Sequence, residues 1–152
     1  MSLHILTVGK KHESWVAEGI ERYQKRLKAP FLPEWVLMAH SAYDGLKARQ
    51  DESERILLRL TAYDYVILLD ERGKTLDSPA LAGILEEQLD RSKKVLIIIG
   101  GAFGVTDELR NKATLVWSLS PLVFPHQLVR LILTEQLYRA QQIIVGGSYH
   151  HE

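Results

Sequence analysis

The run Val95-Leu96-Ile97-Ile98-Ile99 constrains the fold more than any other stretch. It is apolar throughout and mostly β-branched, so neither of its faces suits water. An amphipathic helix or a half-solvated strand would interrupt such a run with polar residues. An unbroken one reads as a strand buried on both faces of a parallel sheet. Parallel strands need crossover connections, usually helices, so the rest of the chain should alternate strand and helix.

It does. Leu3–Val8 alternates toward a strand and ends at Gly9. His12–Leu27 places Val16, Ile20, Tyr23 and Leu27 at helical spacing, and Pro30 and Pro33 then break the pattern. Trp35–Ala39 reads as a second strand. Asp44–Leu60 reads as a largely charged helix, with apolar weight only at Ile56, Leu57 and Leu60. Tyr65–Leu69 is a compact apolar strand, closed by Asp70-Glu71-Arg72-Gly73. Ser78-Pro79 signals a helix start, with Ser78 as N-cap and Pro79 at the first helical position. Leu81, Leu85 and Leu89 follow at i, i+4 spacing. Thr106, before Asp107 and Glu108, caps a short helix, and Leu115–Leu119 is a last strand. Leu128–Val145 is a long helix with apolar residues on nearly every side, as expected of one buried against the core or a second subunit. The pattern predicts an α/β fold: one domain over residues 1–152, with a parallel sheet of about five strands and flanking helices.

Composition narrows the function. At 152 residues and 46% hydrophobic content, the chain can bury one sizeable core. The absence of cysteine excludes a disulfide scaffold, a thiolate nucleophile and Cys-ligated zinc. The first apolar run is too short for a signal peptide, and none approaches the roughly 20 residues of a membrane span. These features predict a cytoplasmic protein. Lys and Arg together number 19, as do Asp and Glu, so the net charge is zero. Chains that grip naked nucleic acid are usually basic. A nucleic-acid partner must here meet a local patch or be recognised by shape. Lys10 and Lys11, at the end of the first strand, are the best-placed candidates; Arg22, Lys25 and Arg26 share one face of the first helix.

The buried strand runs into Gly100-Gly101-Ala102-Phe103-Gly104. This is not the dinucleotide fingerprint G-x-G-x-x-G, because Ile99 stands where its first glycine is needed, and no acidic residue follows at the expected distance. It is not a P-loop, because no Lys-Ser or Lys-Thr follows. What remains is a sharp turn at the carboxyl end of a central strand. Open α/β sheets bind ligands there, although glycines at such a turn also serve plain backbone geometry. Three further features lie at strand ends: Leu68–Gly73, the tail Gly146–Glu152, and Leu119–His126. The last is apolar, uncharged and carries two prolines, unlike a water-exposed loop. It should line a pocket or pack under another segment.

Together, LDERG at 69–73, the IGGAFG turn at 99–104, SLSPLVFPHQLVRLILTEQLYRA at 118–140 and the terminal YHHE at 149–152 resemble the ribosomal large subunit methyltransferase H family. These are SPOUT-class enzymes that methylate N3 of a pseudouridine in 23S rRNA. The resemblance spans essentially the whole chain, and the joint order and spacing of the motifs make it specific. It implies S-adenosylmethionine as methyl donor, a homodimer, and a trefoil knot in the C-terminal half that forms the cofactor pocket. Carried over residue by residue, it places Leu69, Gly101, Ser120, Pro121, Leu122, Val123, Phe124 and Pro125 at the cofactor.

Methyl transfer from a sulfonium mainly requires positioning of the two reactants. The pseudouridine N3 also has to lose a proton, which a general base would assist. His126 follows the cofactor loop, and its ordinary pKa suits that task. Tyr149 and His150 are the other catalytic candidates, on a tail that the resemblance implies orders over the active site of the partner subunit. His151 stands where related tails often carry Arg or Lys, so the RNA-facing charge there is not fixed. Glu135 and Arg139, four apart, should form an ion pair on the long helix. His150, His151 and Glu152 are adjacent on a tail and make a poor metal site, so no metal is expected. The zero net charge points to action on an assembled ribosome. Two alternatives remain open on the sequence: a non-catalytic flavodoxin-like binding module, and a SPOUT methyltransferase acting on tRNA.

Overall fold

The computed structural model describes residues 2–151. In chain order the elements are β1 (Ser2–Val8), α1 (Ser14–Gln24), β2 (Glu34–Met38), α2 (Gly45–Leu57), β3 (Tyr65–Thr75), α3 (Ser78–Asp90), β4 (Lys94–Ile99), α4 (Asp107–Lys112), β5 (Leu115–Ser118) and α5 (His126–Val145), with a 3-10 turn at Leu60–Ala62. Among the described residues the five strands form one parallel sheet, in the order β2-β1-β4-β3-β5.

The apolar run lies in the central strand, as its composition demands. Val95, Ile97 and Ile99 point to one side of the sheet, into a core with Leu81, Leu85 and Leu89 of α3 and Leu133 and Leu137 of α5. Leu96 and Ile98 point to the other side, with Ile56 of α2 and Leu109 of α4. The period-2 alternation of a strand makes both faces apolar at once. Helices α1 and α5 approach closely at Gly19, where a Cβ would lie 2.7 Å from Leu131 Cδ1.

Several sequence expectations need adjustment. The N-cap of α3 is Asp77, not Ser78: the Asp77 carboxylate accepts from the Ala80 amide at 2.9 Å. That places Ser78 and Pro79 in the first turn and frees the Ser78 hydroxyl to donate to Gln136 Oε1 at 2.7 Å. Strand β3 does not stop at Leu69. It continues to Thr75 across an irregularity in which Leu69 and Lys74 both pair with Trp117, so the intervening residues bulge from the sheet. Gly73 is required there, because a Cβ would lie 2.6 Å from the Val116 backbone.

Helix α5 starts at His126, two residues earlier than its apolar pattern suggests, with Pro125 at the cap position. Its interior is also less apolar than expected. Arg130 is 1% exposed, and Thr134 and Gln141 are buried. Arg130 offsets part of the cost of burying a charge by donating to main-chain acceptors, the carbonyls of Lys11 at 2.8 Å, Val8 at 3.1 Å and Gly9 at 3.4 Å, although its Nε has no partner and burial still lowers its pKa. Among the described residues no helix is long and apolar enough to cross a membrane.

Candidate active site

The carboxyl ends of β3, β4 and β5 open into one cleft of about 560 Å³. Each wall has a local cause. The β3 bulge supplies Asp70, Glu71 and Arg72, with Leu69 at its base. The turn after β4 supplies Gly100 to Val105; the Gly104 amide closes it on the Gly101 carbonyl at 3.1 Å, and Gly104 takes φ +79°. The segment after β5 supplies Leu119, Ser120, Leu122, Val123 and Phe124, and the start of α5 adds His126 and Val129.

Most of the expected cofactor residues therefore meet here: Leu69, Gly101, Ser120, Leu122, Val123 and Phe124. Pro121 and Pro125 do not line the cleft. Pro125 instead starts α5, and its fixed φ suits the entry to a helix. The 119–126 segment is not packed under another part of the chain: Leu122 is 69% and Val123 76% exposed at the cleft mouth. Those two apolar side chains are free to cover a ligand or a second surface.

The fold itself requires glycine at position 101. A Cβ there would fall 2.5 Å from Oε1 of Glu52 and 3.3 Å from Val8 Cγ1. Glu52, on α2, is 3% exposed; its Oε2 accepts from the Ser41 amide at 3.0 Å and its Oε1 has no hydrogen-bond partner. This carboxylate does not stand out in the sequence as part of the cleft. The available signal was its position between Ala48 and Ile56, the buried residues of α2 four places to either side.

Burial depresses the pKa of His126 below the ordinary histidine value, with Arg130 and His40 adding to the effect; Glu52 and a backbone hydrogen bond to Gly100 oppose it. His126 is thus a neutral imidazole near neutral pH, able to accept a proton. Burial and Arg130 lower His12 in the same way, and its Nδ1 lies 3.2 Å from Arg130 Nη1. Beside the cleft, Arg110 joins the β3 bulge to α4, with Nη2 3.2 Å from Asp70 Oδ2.

Tyr149 and His150 lie elsewhere, folded back on α5 of their own chain. Arg139 and Glu135 form the expected ion pair at 2.7 Å. The Tyr149 hydroxyl donates to Glu135 at 3.4 Å, its ring meets Tyr138 edge-on at 4.8 Å, and the Arg139 guanidinium sits 4.9 Å above it. Burial, hydrogen bonding to Tyr23 and the Glu135 charge push the Tyr149 phenol up to about 12. It stays protonated and can donate but not act as a base. His150 Nδ1 lies 3.0 Å from Arg139 Nη1, and His150 lines a second cavity of about 730 Å³ between α3 and α5. That cavity shares Leu119 and Phe124 with the cleft, so the two meet at the 119–124 segment.

Lys10, Lys11 and His151 are exposed. The Lys11 carbonyl holds Arg130 and accepts from Gln127 Nε2 at 3.2 Å, which fixes the backbone that carries both lysines. Lys25 pairs with Glu21 at 3.5 Å on the surface of α1. Among the described residues no group of three or more His, Asp or Glu side chains could hold a metal, and Glu152 lies outside those residues.

Comparison with known proteins gives this cleft its context. A family model described as a predicted SPOUT methyltransferase matches residues 1–150. The chain is 41% identical, over the full length of both, to ribosomal RNA large subunit methyltransferase H of Geobacter sp. (strain M21). It is 40% identical to the protein of the same name from Desulfitobacterium hafniense (strain DSM 10664 / DCB-2), over 99% of each. Among solved structures, a probable methylase family protein from Haemophilus influenzae Rd KW20 superposes with a TM-score of 0.58 over 99% of this chain and 70% of its own, at 13% identity. A putative methylase family protein from Neisseria gonorrhoeae does so at 0.53 over 99% and 86%, at 14% identity. These two structures support the fold, while the sequence matches settle the membership: the chain belongs to the SPOUT methyltransferases, in the ribosomal RNA large subunit methyltransferase H family.

Proposed function

We propose that this chain transfers a methyl group from S-adenosylmethionine to N3 of a pseudouridine in 23S rRNA, within the assembled ribosome. The observation that carries the reading is the convergence, in one cleft, of a glycine turn, an apolar proline-bearing segment and a neutral histidine. The cleft suits the methyl donor chemically. Leu69, Leu119, Leu122, Val123 and Phe124 offer an apolar slot for adenine, and the Gly100-Gly101 backbone offers donors and acceptors without side chains in the way. Asp70 is tied to Arg72 and Arg110, which leaves the exposed Glu71 as the rim carboxylate available to hydroxyls or a positive centre. Bound there, S-adenosylmethionine supplies an activated methyl carbon.

The protein's part is positioning and the proton. His126, at the α5 start of the cleft, takes the proton from N3 as the base becomes nucleophilic. Tyr149 and His150 act from the tail of a partner subunit in a homodimer. In that assembly the Tyr149 hydroxyl, released from Glu135, donates a hydrogen bond to the target base. The exposed Leu122 and Val123, and the cavity between α3 and α5, are the surfaces such an assembly would use. Lys10, Lys11 and His151 face RNA phosphate. The knotted threading of the C-terminal half and a cytoplasmic location belong to the same reading.

The neutral net charge supports a ribosome rather than free RNA as substrate, because shape must replace bulk electrostatic attraction. The names of the relatives favour large-subunit rRNA over tRNA, and family membership sets aside the non-catalytic module. Mass spectrometry of 23S rRNA from a deletion strain should show loss of one methylpseudouridine, restored by this chain. Calorimetry should show S-adenosylmethionine binding. An unchanged modification profile would refute the target, and comparable turnover on naked RNA and on ribosomes would refute the substrate state.

A further inference from the structure

Helix α2 reads in the sequence as a charged surface helix, yet one of its faces follows the cleft's glycine turn. Arg49, Glu52 and Ser53 stand at i, i+3 and i+4 and therefore share that face. Arg49 Nε donates to the Phe103 carbonyl at 2.7 Å. The Ser53 hydroxyl accepts from the Thr106 amide at 3.0 Å. Between them, Glu52 occupies the space a Gly101 side chain would need, with Oε1 2.5 Å from that position and Oε2 tied to the Ser41 amide. The three contacts reach residues 101, 103 and 106 of the turn. The opposite face carries ordinary surface contacts: Lys47 over the Tyr43 ring, and Gln50 with Glu54.

Surface helices do not usually bury both a carboxylate and a serine. Glu52 and Ser53 are 3% and 1% exposed, and each accepts a main-chain amide from outside the helix, that of Ser41 and that of Thr106. A turn rich in glycine has many conformations to lose when a ligand orders it. External contacts that hold it beforehand reduce that loss on binding.

We propose that Arg49, Glu52 and Ser53 are positioning residues, which hold the Gly100–Thr106 turn in the shape that receives the methyl donor. This rests on the reading of the cleft as the S-adenosylmethionine site. Arg49 also lines the cleft, so its contact with Phe103 couples the helix directly to the pocket wall. Phe103, 38% exposed and also lining the cleft, is then held at the rim through its own carbonyl.

The test uses the full-length protein, with S-adenosylmethionine as the probe. Arg49→Ala and Ser53→Ala should each weaken binding about tenfold, the scale of one lost hydrogen bond to a charged or structured partner. Arg49→Lys should restore most of the affinity, because an ammonium can still donate to a carbonyl. The loss should fall on KM for the methyl donor, with kcat at saturation largely kept. Hydrogen exchange at residues 103–106 should quicken in the weakened variants and stay slow in Lys47→Ala on the opposite face. Thermal melts identify variants that remain folded. Folded Arg49→Ala and Ser53→Ala proteins with wild-type affinity and wild-type exchange would overturn the proposal. So would an equal loss in Lys47→Ala, which would mark a general helix effect. Absence of binding by the wild-type chain is a separate failure: it removes the cofactor reading, and this proposal with it.

Discussion

Replacing Gly101 by alanine tests the cleft with a single atom. The new Cβ would lie 2.5 Å from Glu52 Oε1, against 3.4 Å for ordinary contact, so turn and carboxylate must separate by the difference, 0.9 Å. The backbone at Gly101 tolerates a side chain, since its φ is not in the left-handed region. The cost is therefore steric. If the carboxylate moves, it leaves the Ser41 amide, and a hydrogen bond to a charged group contributes about 1.5–3 kcal/mol. If the turn moves instead, overpacking costs about 1–3 kcal/mol. Both routes put the destabilisation near 2 kcal/mol, to be read from urea unfolding. The displaced turn should also weaken S-adenosylmethionine binding at least tenfold by calorimetry. Glu52→Ala removes the colliding atoms, so the two changes together should be less damaging than their sum, with a coupling of about 1–2 kcal/mol. A Gly101→Ala protein within about 0.5 kcal/mol of wild type, with unchanged affinity, would refute the argument. Lost stability with intact affinity would show that Gly101 serves Glu52 and not the ligand.

Other outcomes follow from the same structure. Burial lowers the pKa of both His12 and His126, so the unfolded chain takes up protons near pH 6.5 while the folded imidazoles stay neutral. Stability is then full above that pH and falls as pH drops below it; melting should shift downward between pH 7.5 and 5.5, about the window set by the free imidazole. A His12→Asn/His126→Asn variant should lose part of that acid sensitivity, and an identical pH profile would contradict the assignment. Gly73→Ala drives a Cβ to 2.6 Å from the Val116 backbone, which cannot rotate away, so a cost of about 3 kcal/mol or more is expected, with faster hydrogen exchange in β5. Normal unfolding of that variant would argue against the β3–β5 register. Tyr149, with its phenol at about 12, should be among the last tyrosines to ionise in an absorbance titration, and Tyr149→Phe should remove that late step. Its disappearance near pH 10 instead would mean that the tail does not dock on α5.

The sequence by itself determined the sheet and much of the cleft. An apolar run such as Val95–Ile99 has only one comfortable place, a central strand covered on both sides, and the structure puts it there. The glycine turn and the 119–126 segment stood out because ligand sites in parallel sheets gather at the carboxyl ends of strands, while Leu69 and the individual cofactor positions came from the family resemblance. Tertiary structure decided what depends on distant partners. Arg130 reads as a polar interruption in a greasy helix until main-chain carbonyls more than a hundred residues away receive it. Glu52 reads as one more charge on a surface helix until Gly101 leaves room for it. Asp77 rather than Ser78 caps α3 because the fold gives the Ser78 hydroxyl another partner, Gln136. Hydrophobic periodicity is a local property and survives in the sequence. The burial of a charge depends on which acceptors the folded chain brings to it, and only the assembled sheet and helices supply those.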